Sequence, residues 1–496
     1  MIDIKKVGIC TFTVQLVNKL AEIFSQQRKQ LRQQLDSPVF DDLNSKCLIV
    51  FGISVIIYCG LISFGDFKSA LEEIRLYKIG SLYLYTIKII LIFNLAVFLW
   101  RLLLVAKYKP VKGCSDKELP KCTVIVPAYN EGRQVLVTLQ SIVASDYPAG
   151  KVQIIAVDDG SKDDTFKWME TACNLMPGRI ECIRQPVNRG KREALFEGIM
   201  RSRGRIIVTI DSDSTIEPNT LRNMVSPFVK DKTVGAVAGN VRVLNASEGV
   251  IPKMLDVSFA YSFEFLRASQ SMVDTVFCTP GALSAYRKDV VMKNLKAWLN
   301  QTFMGRKATI GEDRAMTNMI LNCGWAVRFQ SNAIVYTNVP TEYNGLCKMF
   351  LRWARSNVRE TLAMGKFVFK KFRSASAIGA RVNFVMSCLS LVFQKALIGM
   401  VVACMFFAPQ VYLSQVMFGT VIASTAPAVF YILRRKDSDL LWAYAYGLFW
   451  LAGLWWITPW AMLTAQNGKW LTRELPQERP VPTSKRELRL NLGTAA

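Results

Sequence analysis

Two aspartates separated by one serine, Asp211 and Asp213 in "RIIVTIDSDST" (205–215), close a run of β-branched residues in a 496-residue chain that contains no histidine. If the strand continues through them, residues two apart share a face and the carboxylates stand side by side. Like charges that close repel unless a cation lies between them. Oxygen ligands alone suit Mg²⁺ or Mn²⁺, whereas zinc centres draw on cysteine and histidine. A lone D-x-D is most often a solvated turn after a strand, so its reading depends on what the chain sets beside it.

Two further polar clusters interrupt apolar runs in the same way: Tyr129–Asn130–Glu131 after "CTVIVPA", and Asp158–Asp159–Gly160 after "VQIIAV". A glycine-containing loop, "VNRGKREAL", adds Arg189, Lys191 and Arg192. One cluster could be chance, but several on consecutive elements point to a site. Acidic groups for a cation and basic groups for phosphate are the equipment for a nucleotide diphosphate bound through a metal. No G-x-x-x-x-G-K-[ST] loop is present, which argues against a P-loop enzyme.

The elements that must position these groups alternate. From Cys122 onward, short apolar runs are spaced by helical segments such as 133–145, which implies a mostly parallel α/β sheet. In such sheets ligands bind beyond the carboxyl ends of the strands, where all three clusters fall. Around this soluble part the chain is apolar. Residues 47–65 carry no charge over 19 positions, and a second stretch, 82–106, has Lys88 and Arg101 close enough to its ends to snorkel. Apolar character returns at 382–407, 411–433 and 440–463. The expected architecture is one large α/β domain inserted between transmembrane helices.

The formal net charge is +24, from 62 Lys and Arg against 38 Asp and Glu. No basic helix interleaved with aromatics stands out, so a nucleic-acid partner is set aside. Positive-inside topology and attraction to anionic lipid or substrate account for the excess. The twelve cysteines form no C-x-x-C pair and read as small hydrophobes in a reducing compartment, without a disulfide framework. The first 46 residues lack the pattern of a cleaved signal peptide and read as an amphipathic cytosolic lead-in.

As a set and in this order, "VPAYNE", "VDDGSKDDT", "NRGKREAL" and "DSDS" resemble the nucleotide-sugar half of family 2 glycosyltransferases with the GT-A fold. "CTPGALSAYRK" (278–288), "GEDRAMTN" (311–318) and "FLRWARSNVRE" (350–360) resemble the acceptor half of the processive, membrane-embedded branch, with hyaluronan synthases and chitin-oligosaccharide synthases matching best. The resemblance implies that Ala128–Tyr129 and one of Asp158 or Asp159 hold the uracil, and that Lys191 touches the diphosphate. Asp211 and Asp213 would hold Mg²⁺ or Mn²⁺. Asp313 would be the general base, its pKa raised by burial or by Glu312 beside it. Cys278 would line the acceptor site unless it is a buried core thiol, and Arg352–Trp353 would face phosphate and a sugar ring. The family pattern Q-x-x-R-W has Met349 at its glutamine. Trp470, Thr472 and Arg473 resemble a W-G-T-R gating loop, with Leu471 in place of the glycine.

The expected organisation is a lead-in (1–46), two transmembrane helices (47–106), a cytosolic GT-A domain with interface helices at its end (107–375), two more transmembrane helices (376–433), a re-entrant or interfacial segment broken at Pro459 (434–463), and a cytosolic gating loop with a basic tail (464–496). The implied activity is a polysaccharide synthase of the plasma or inner membrane. It would take UDP-sugars, UDP-GlcNAc and UDP-GlcA for a hyaluronan-type product, extend a growing polysaccharide and thread it across the lipid bilayer. Chitin or β-glucan synthesis, and a single-addition transferase acting on a polyprenyl phosphate, are the alternatives.

Overall fold

The computed structural model describes residues 42–405 and 409–468. The amino-terminal half of the catalytic domain is built from apolar strands that are buried on both faces, as their unbroken hydrophobic runs require. β1 (Cys122–Ala128) is buried along its whole length and pairs in parallel with β2 (Val152–Asp158) on one side and β4 (Ile206–Thr209) on the other; β3 (Ile180–Arg184) lies outside β2. The crossover helices each carry an apolar face.

β5 (Ser214–Ile216), β6 (Val234–Val243), β7 (Ser284–Arg287) and β10 (Ala326–Thr337) complete an eight-stranded sheet in the order β3-β2-β1-β4-β7-β6-β10-β5. β7 is wedged antiparallel between β4 and β6, while β10 runs parallel to β6 and antiparallel to β5. A two-residue hairpin, β8 (Thr302–Phe303) with β9 (Arg306–Lys307), stands apart from the sheet. The sheet is therefore mostly parallel, as the alternating pattern implies.

One local expectation fails. β4 ends at Thr209, and Asp211–Asp213 form the turn into β5, closed by the Ser214 N–H donating to the Asp211 carbonyl at 3.1 Å. Strand alternation does not place these two carboxylates; a turn does. A second difference is a disulfide between Cys173 and Cys182, where the spacing gave no reason to expect one.

The apolar helices flank this domain. α1 (Asp42–Ile62) and α3 (Lys78–Lys107) present most of their large hydrophobic side chains outward, as a lipid-facing helix does. Between them lies α2 (Phe64–Leu76), a separate short helix with no buried residue, inside the stretch expected to hold two transmembrane helices. Among the described residues three helices are long and apolar enough to cross a membrane: Asp42–Ile62, Gly80–Lys107 and Pro409–Arg435. The bent pair Ser438–Leu454 and Ile457–Leu463, 45° apart, is a broken span or a re-entrant loop. The expected span 382–407 falls in the helix Ile378–Met405 and ends beyond the described residues, as do the lead-in up to residue 41 and the tail from residue 469.

Helix ends sort by polar contact. Near the catalytic domain, Lys46 of α1 bonds Asp439 at 2.7 Å, the Tyr108 hydroxyl after α3 donates to the Phe329 carbonyl at 2.8 Å, and Arg435 meets Glu264 at 2.8 Å. At the far end, Ser63 and Ser414 share a hydrogen bond of 2.6 Å, and Gln415 donates to the Gly60 carbonyl at 2.6 Å.

Candidate active site

The first three polar clusters converge because the loops that carry them are tied to one another. The backbone N–H groups of Glu131 and Gly132 both donate to the Thr165 hydroxyl, at 2.8 and 2.9 Å. The Asn130 N–H donates to the Ser161 hydroxyl at 3.0 Å, and the Lys162 N–H to the Asn130 side-chain oxygen at 2.9 Å. "YNEG" and "DGSKDDT" are thus two halves of one latch. Gly160, at φ +69°, lets a third loop in: a Cβ there would lie 2.4 Å from the carbonyl carbon of Val187.

Tyr129 and Ala128 are buried at the mouth of this latch. The adjacent aspartates differ. Asp159 spends both oxygens on the phosphate-loop backbone, accepting from the Arg189 and Gly190 N–H groups at 2.8 Å each; burial pushes its carboxyl up to about 6 despite those bonds. Asp158 accepts from the Ser161 N–H at 3.2 Å, while its second oxygen is buried with no hydrogen bond and has Arg184 Nε at 3.5 Å. Of the two aspartates, only Asp158 has an oxygen without a hydrogen bond.

Lys191 starts the helix Lys191–Arg201 and reaches between two carboxylates, 2.6 Å from Asp211 and 2.9 Å from Glu312. Burial works to lower the pKa of its ammonium, but the Asp211 and Glu312 charges outweigh that and raise it. Burial likewise works against the Glu312 carboxylate, and Lys191 holds its pKa low all the same. Asp313, next along, forms no ion pair with a cation among the described residues. Burial and then the Glu312 charge push its carboxyl above the ordinary range, which is the direction a base requires.

Asp313 is held by neighbouring backbone. It lies in the first turn of the helix Glu312–Asn322, and its Oδ2 accepts from the Gly281 N–H at 3.2 Å and faces the Cys278 sulfur at 3.6 Å. Cys278 is thus beside the base, and burial raises its thiol to about 12, so it stays protonated. Gly281 leaves room for the cation: a Cβ would sit 2.8 Å from Lys191 Nζ. A cavity of about 30 Å³, enough for about one water, is lined by Lys191, Asp211, Gly281, Glu312 and Asp313.

Asp213 is partly exposed in the same turn as Asp211, and the Ser214 hydroxyl donates to it at 3.2 Å. Among the described residues no three His, Cys, Asp or Glu side chains form a cage. Two hard carboxylates at the carboxyl edge, one already facing a cation, fit Mg²⁺ or Mn²⁺, which bind through one or two carboxylates and complete their shell with substrate phosphate and water.

The helix Tyr343–Gly365 packs on the base from the other side. Gly311, at φ +68°, admits it closely, since a Cβ there would lie 1.8 Å from the Ser356 hydroxyl. Trp353, three residues before Ser356, is 42% exposed, with its ring 5.7 Å from Phe350 and 6.1 Å from Phe259. Met349 is buried in the core, so the departure from Q-x-x-R-W sits in packing. Arg352 is partly buried on the same helix. Trp470, Thr472 and Arg473 lie outside the described residues; the last described residue, Gly468, accepts a hydrogen bond through its carbonyl from Thr309, two residues before Gly311.

The motifs assign no role to Thr165, Trp298 or Glu360, and Arg192, expected among the basic groups for phosphate, is instead buried and donates to the Trp298 carbonyl at 2.6 Å and to Gln301 at 2.9 Å. Glu360 accepts from Gln301 at 2.9 Å, Asn318 at 3.0 Å and Arg359 at 3.1 Å, all buried or nearly so. Thr165, Arg192 and Glu360 lie inside quoted motifs, whereas Trp298 is a single residue on a helix; what the last three hold is visible only in long-range contacts.

With this geometry in place, comparison with known proteins identifies the class. Residues 120–356 match the family model described as "Glycosyltransferase like family 2". These residues form a family 2 glycosyltransferase domain, and the chain is a glycosyltransferase. More particularly, it is similar to hyaluronan synthase of Streptococcus pyogenes serotype M1, 28% identical over 446 residues that cover 88% of this chain and 98% of the relative. It is also similar to an N-acetylglucosaminyltransferase of Rhizobium meliloti (strain 1021), 28% identical over 418 residues, 79% of this chain and 92% of the relative. The fold is shared with mannosyltransferase PcManGT from Pyrobaculum calidifontis, solved in complex with GDP-Man and Mn²⁺, at TM-score 0.50 and 20% identity over 76% of this chain and 98% of that one.

Proposed function

We propose that the chain is a polysaccharide synthase that uses cytosolic UDP-sugars, UDP-GlcNAc and UDP-GlcA for a hyaluronan-type product, and passes the growing polymer through its own membrane helices. The observation that carries this reading is the cluster in which Lys191 bridges Asp211 and Glu312 while Asp313 stands beside them. It joins a diphosphate-binding group to a base in one site. The relatives add that the similarity to hyaluronan synthases covers nearly their whole length.

In the reaction, Asp158 with Ala128 and Tyr129 takes the uracil, using the buried oxygen left without a hydrogen bond. Lys191 turns from Asp211 to the diphosphate. Asp313 removes the proton from the acceptor hydroxyl as that oxygen attacks the anomeric carbon. The bond from that carbon to the diphosphate breaks on the opposite face, with inversion, and UDP leaves. Asp211 and Asp213 would hold Mg²⁺ or Mn²⁺, which offsets the charge gathering on the diphosphate. Trp353 offers an exposed indole for a sugar ring of the acceptor.

The catalytic domain is placed on the cytosolic side because the sugar nucleotide is there. The polar contacts at helix ends fit this, since Lys46 and Arg435 lie at the domain and Ser63 and Ser414 lie away from it. The Thr309–Gly468 contact starts the tail beside the "GEDR" segment, as a tail reaching the nucleotide from the same side would need.

Inverted membrane vesicles test function and orientation together. Supplied from outside with UDP-GlcNAc and UDP-GlcA, they should accumulate a polymer that hyaluronan lyase cuts only after detergent opens the vesicles. Polymer from UDP-GlcNAc alone would favour a chitin-type synthase. Polymer cut without detergent would overturn translocation, and no product from inverted vesicles would overturn the cytosolic placement.

A further inference from the structure

We propose that Trp298 and Arg192, neither of which touches the reacting groups, are positioning residues that hold the backbone of Glu312–Asp313 against the donor-side helix. The inference rests on Asp313 being the base. The contacts close a ring. The Trp298 indole N–H donates to the Glu312 carbonyl at 2.8 Å. The Trp298 carbonyl accepts from Arg192 at 2.6 Å, and the guanidinium lies over the indole, 5.3 Å from its centroid. Arg192 is bonded covalently to Lys191, and Lys191 returns to Glu312 at 2.9 Å.

Trp298 and Arg192 are 2% and 4% exposed, so these bonds have no competition from water. The second guanidinium nitrogen of Arg192 donates to Gln301 at 2.9 Å, and Gln301 donates to Glu360 at 2.9 Å. Arg359, paired with Glu360, also donates to the Ile310 carbonyl. Carbonyls on both sides of Gly311 are thus held by side chains from other helices, which fixes the segment that ends in Asp313. The carboxylates of Glu312 and Asp313 leave this segment in different directions, one to Lys191 and the other to the Gly281 N–H. A shift of the backbone would upset both at once.

The structural alternative is a core tryptophan whose N–H merely needs a partner. The two readings diverge in Trp298→Phe, which keeps an aromatic ring beside Arg192 but removes the N–H together with part of the indole's volume, and in Arg192→Lys, which leaves the indole whole. If Trp298 positions the base, kcat for polymer synthesis falls about tenfold while KM for the UDP-sugars stays within about threefold, because the uracil contacts are made by other loops. Arg192→Lys keeps the charge and loses the fork, and should show the same split. A kcat within about threefold of the parent in folded Trp298→Phe overturns the proposal, as does a loss carried by KM alone. Should Trp298→Phe not fold, Arg192→Lys decides by the same criteria. Asp313→Asn measured in parallel separates the two readings: activity there removes the base itself, whereas an inactive Asp313→Asn beside a fully active Trp298→Phe removes only the positioning role.

Discussion

At the donor edge of the site, the chain holds itself with short polar side chains bonded to the backbone of neighbouring loops: Thr165 to Glu131 and Gly132, Asp159 to Arg189 and Gly190, Ser161 to Asn130. At the base edge, long buried side chains reach across helices: Trp298 to Glu312, Arg359 to Ile310, Glu360 to Gln301 and Asn318. The donor edge is a set of loops at strand ends, which any sheet of this kind offers to a nucleotide. The base edge is a helix start that must be held at one place, and its carbonyls are pinned by side chains whose bonds are buried. The difference suggests that damage to the donor edge will register mainly in binding, and damage to the base edge mainly in turnover.

The largest effect expected is that of Asp313→Asn. The amide keeps the size of the carboxyl and can still accept from the Gly281 N–H, but it cannot take a proton. Polymer synthesis should fall by about 10³-fold, within the range for a general base, while UDP binding stays near the parent value. Isothermal titration with UDP beside a radiolabelled polymer assay reads both. Retained synthesis would remove the base from this edge, and equal loss of UDP binding would erase the contrast between the two edges.

Thr165→Val should behave in the opposite way and more mildly. The substitution is nearly the same size and leaves the Glu131 N–H without its Thr165 acceptor and the Gly132 N–H with only Asp163 at 3.2 Å, so the latch behind the uracil site loosens. Losing two such bonds at a partly buried site costs about 1–3 kcal/mol, and KM for the UDP-sugars should rise about tenfold or more with kcat little changed. A fall in kcat at constant KM would show that the latch serves the chemistry after all.

The same contrast explains what could be read from the sequence. The donor edge is legible because each of its motifs is local, its residues lying within ten positions of one another, although the bonds of the latch join two such motifs 31 to 34 positions apart; the mostly parallel sheet follows from the strand and helix spacing. The D-x-D pair was found for a reason that does not hold, since Asp211 and Asp213 lie in a turn after Thr209 rather than on a continuing strand. Asp313 was reached only through resemblance. Of its supports, Trp298 is an isolated residue on an amphipathic helix, while Arg192 and Glu360 sit inside motifs whose spacing does not show that they hold this segment; only contacts distant in sequence reveal it. The helix Phe64–Leu76 lies inside the stretch expected to hold two transmembrane helices, where its mixed polarity gives no separate signal, and the Cys173–Cys182 pair is hidden because eight residues and a strand start lie between the two.

The smallest effect, and the finest test of the contrast, is in pH dependence. Both edges hold a carboxyl raised by burial, Asp159 to about 6 at the donor edge and Asp313 at the base edge. Asp313 acts only when ionised, so kcat should fall as pH drops through its raised value. Asp159 must be ionised to accept from both the Arg189 and Gly190 N–H groups. Protonation below about 6 weakens one of the two bonds, and KM for the donor should rise a few-fold, about the worth of one partly exposed hydrogen bond. Stability runs the other way. A carboxyl whose folded value lies above its unfolded value of about 4 binds its proton more tightly in the folded chain, so ionising Asp159 costs stability above about 6, and that cost vanishes as pH falls towards 4. Asp159→Asn has nothing left to titrate there. Its KM should be raised at all pH values and flat between about 5 and 7, while its kcat keeps the acid limb of the parent. If the KM limb survives in Asp159→Asn, another group at the donor edge titrates; if the kcat limb disappears with it, the two edges share one titration and the division between binding and turnover fails.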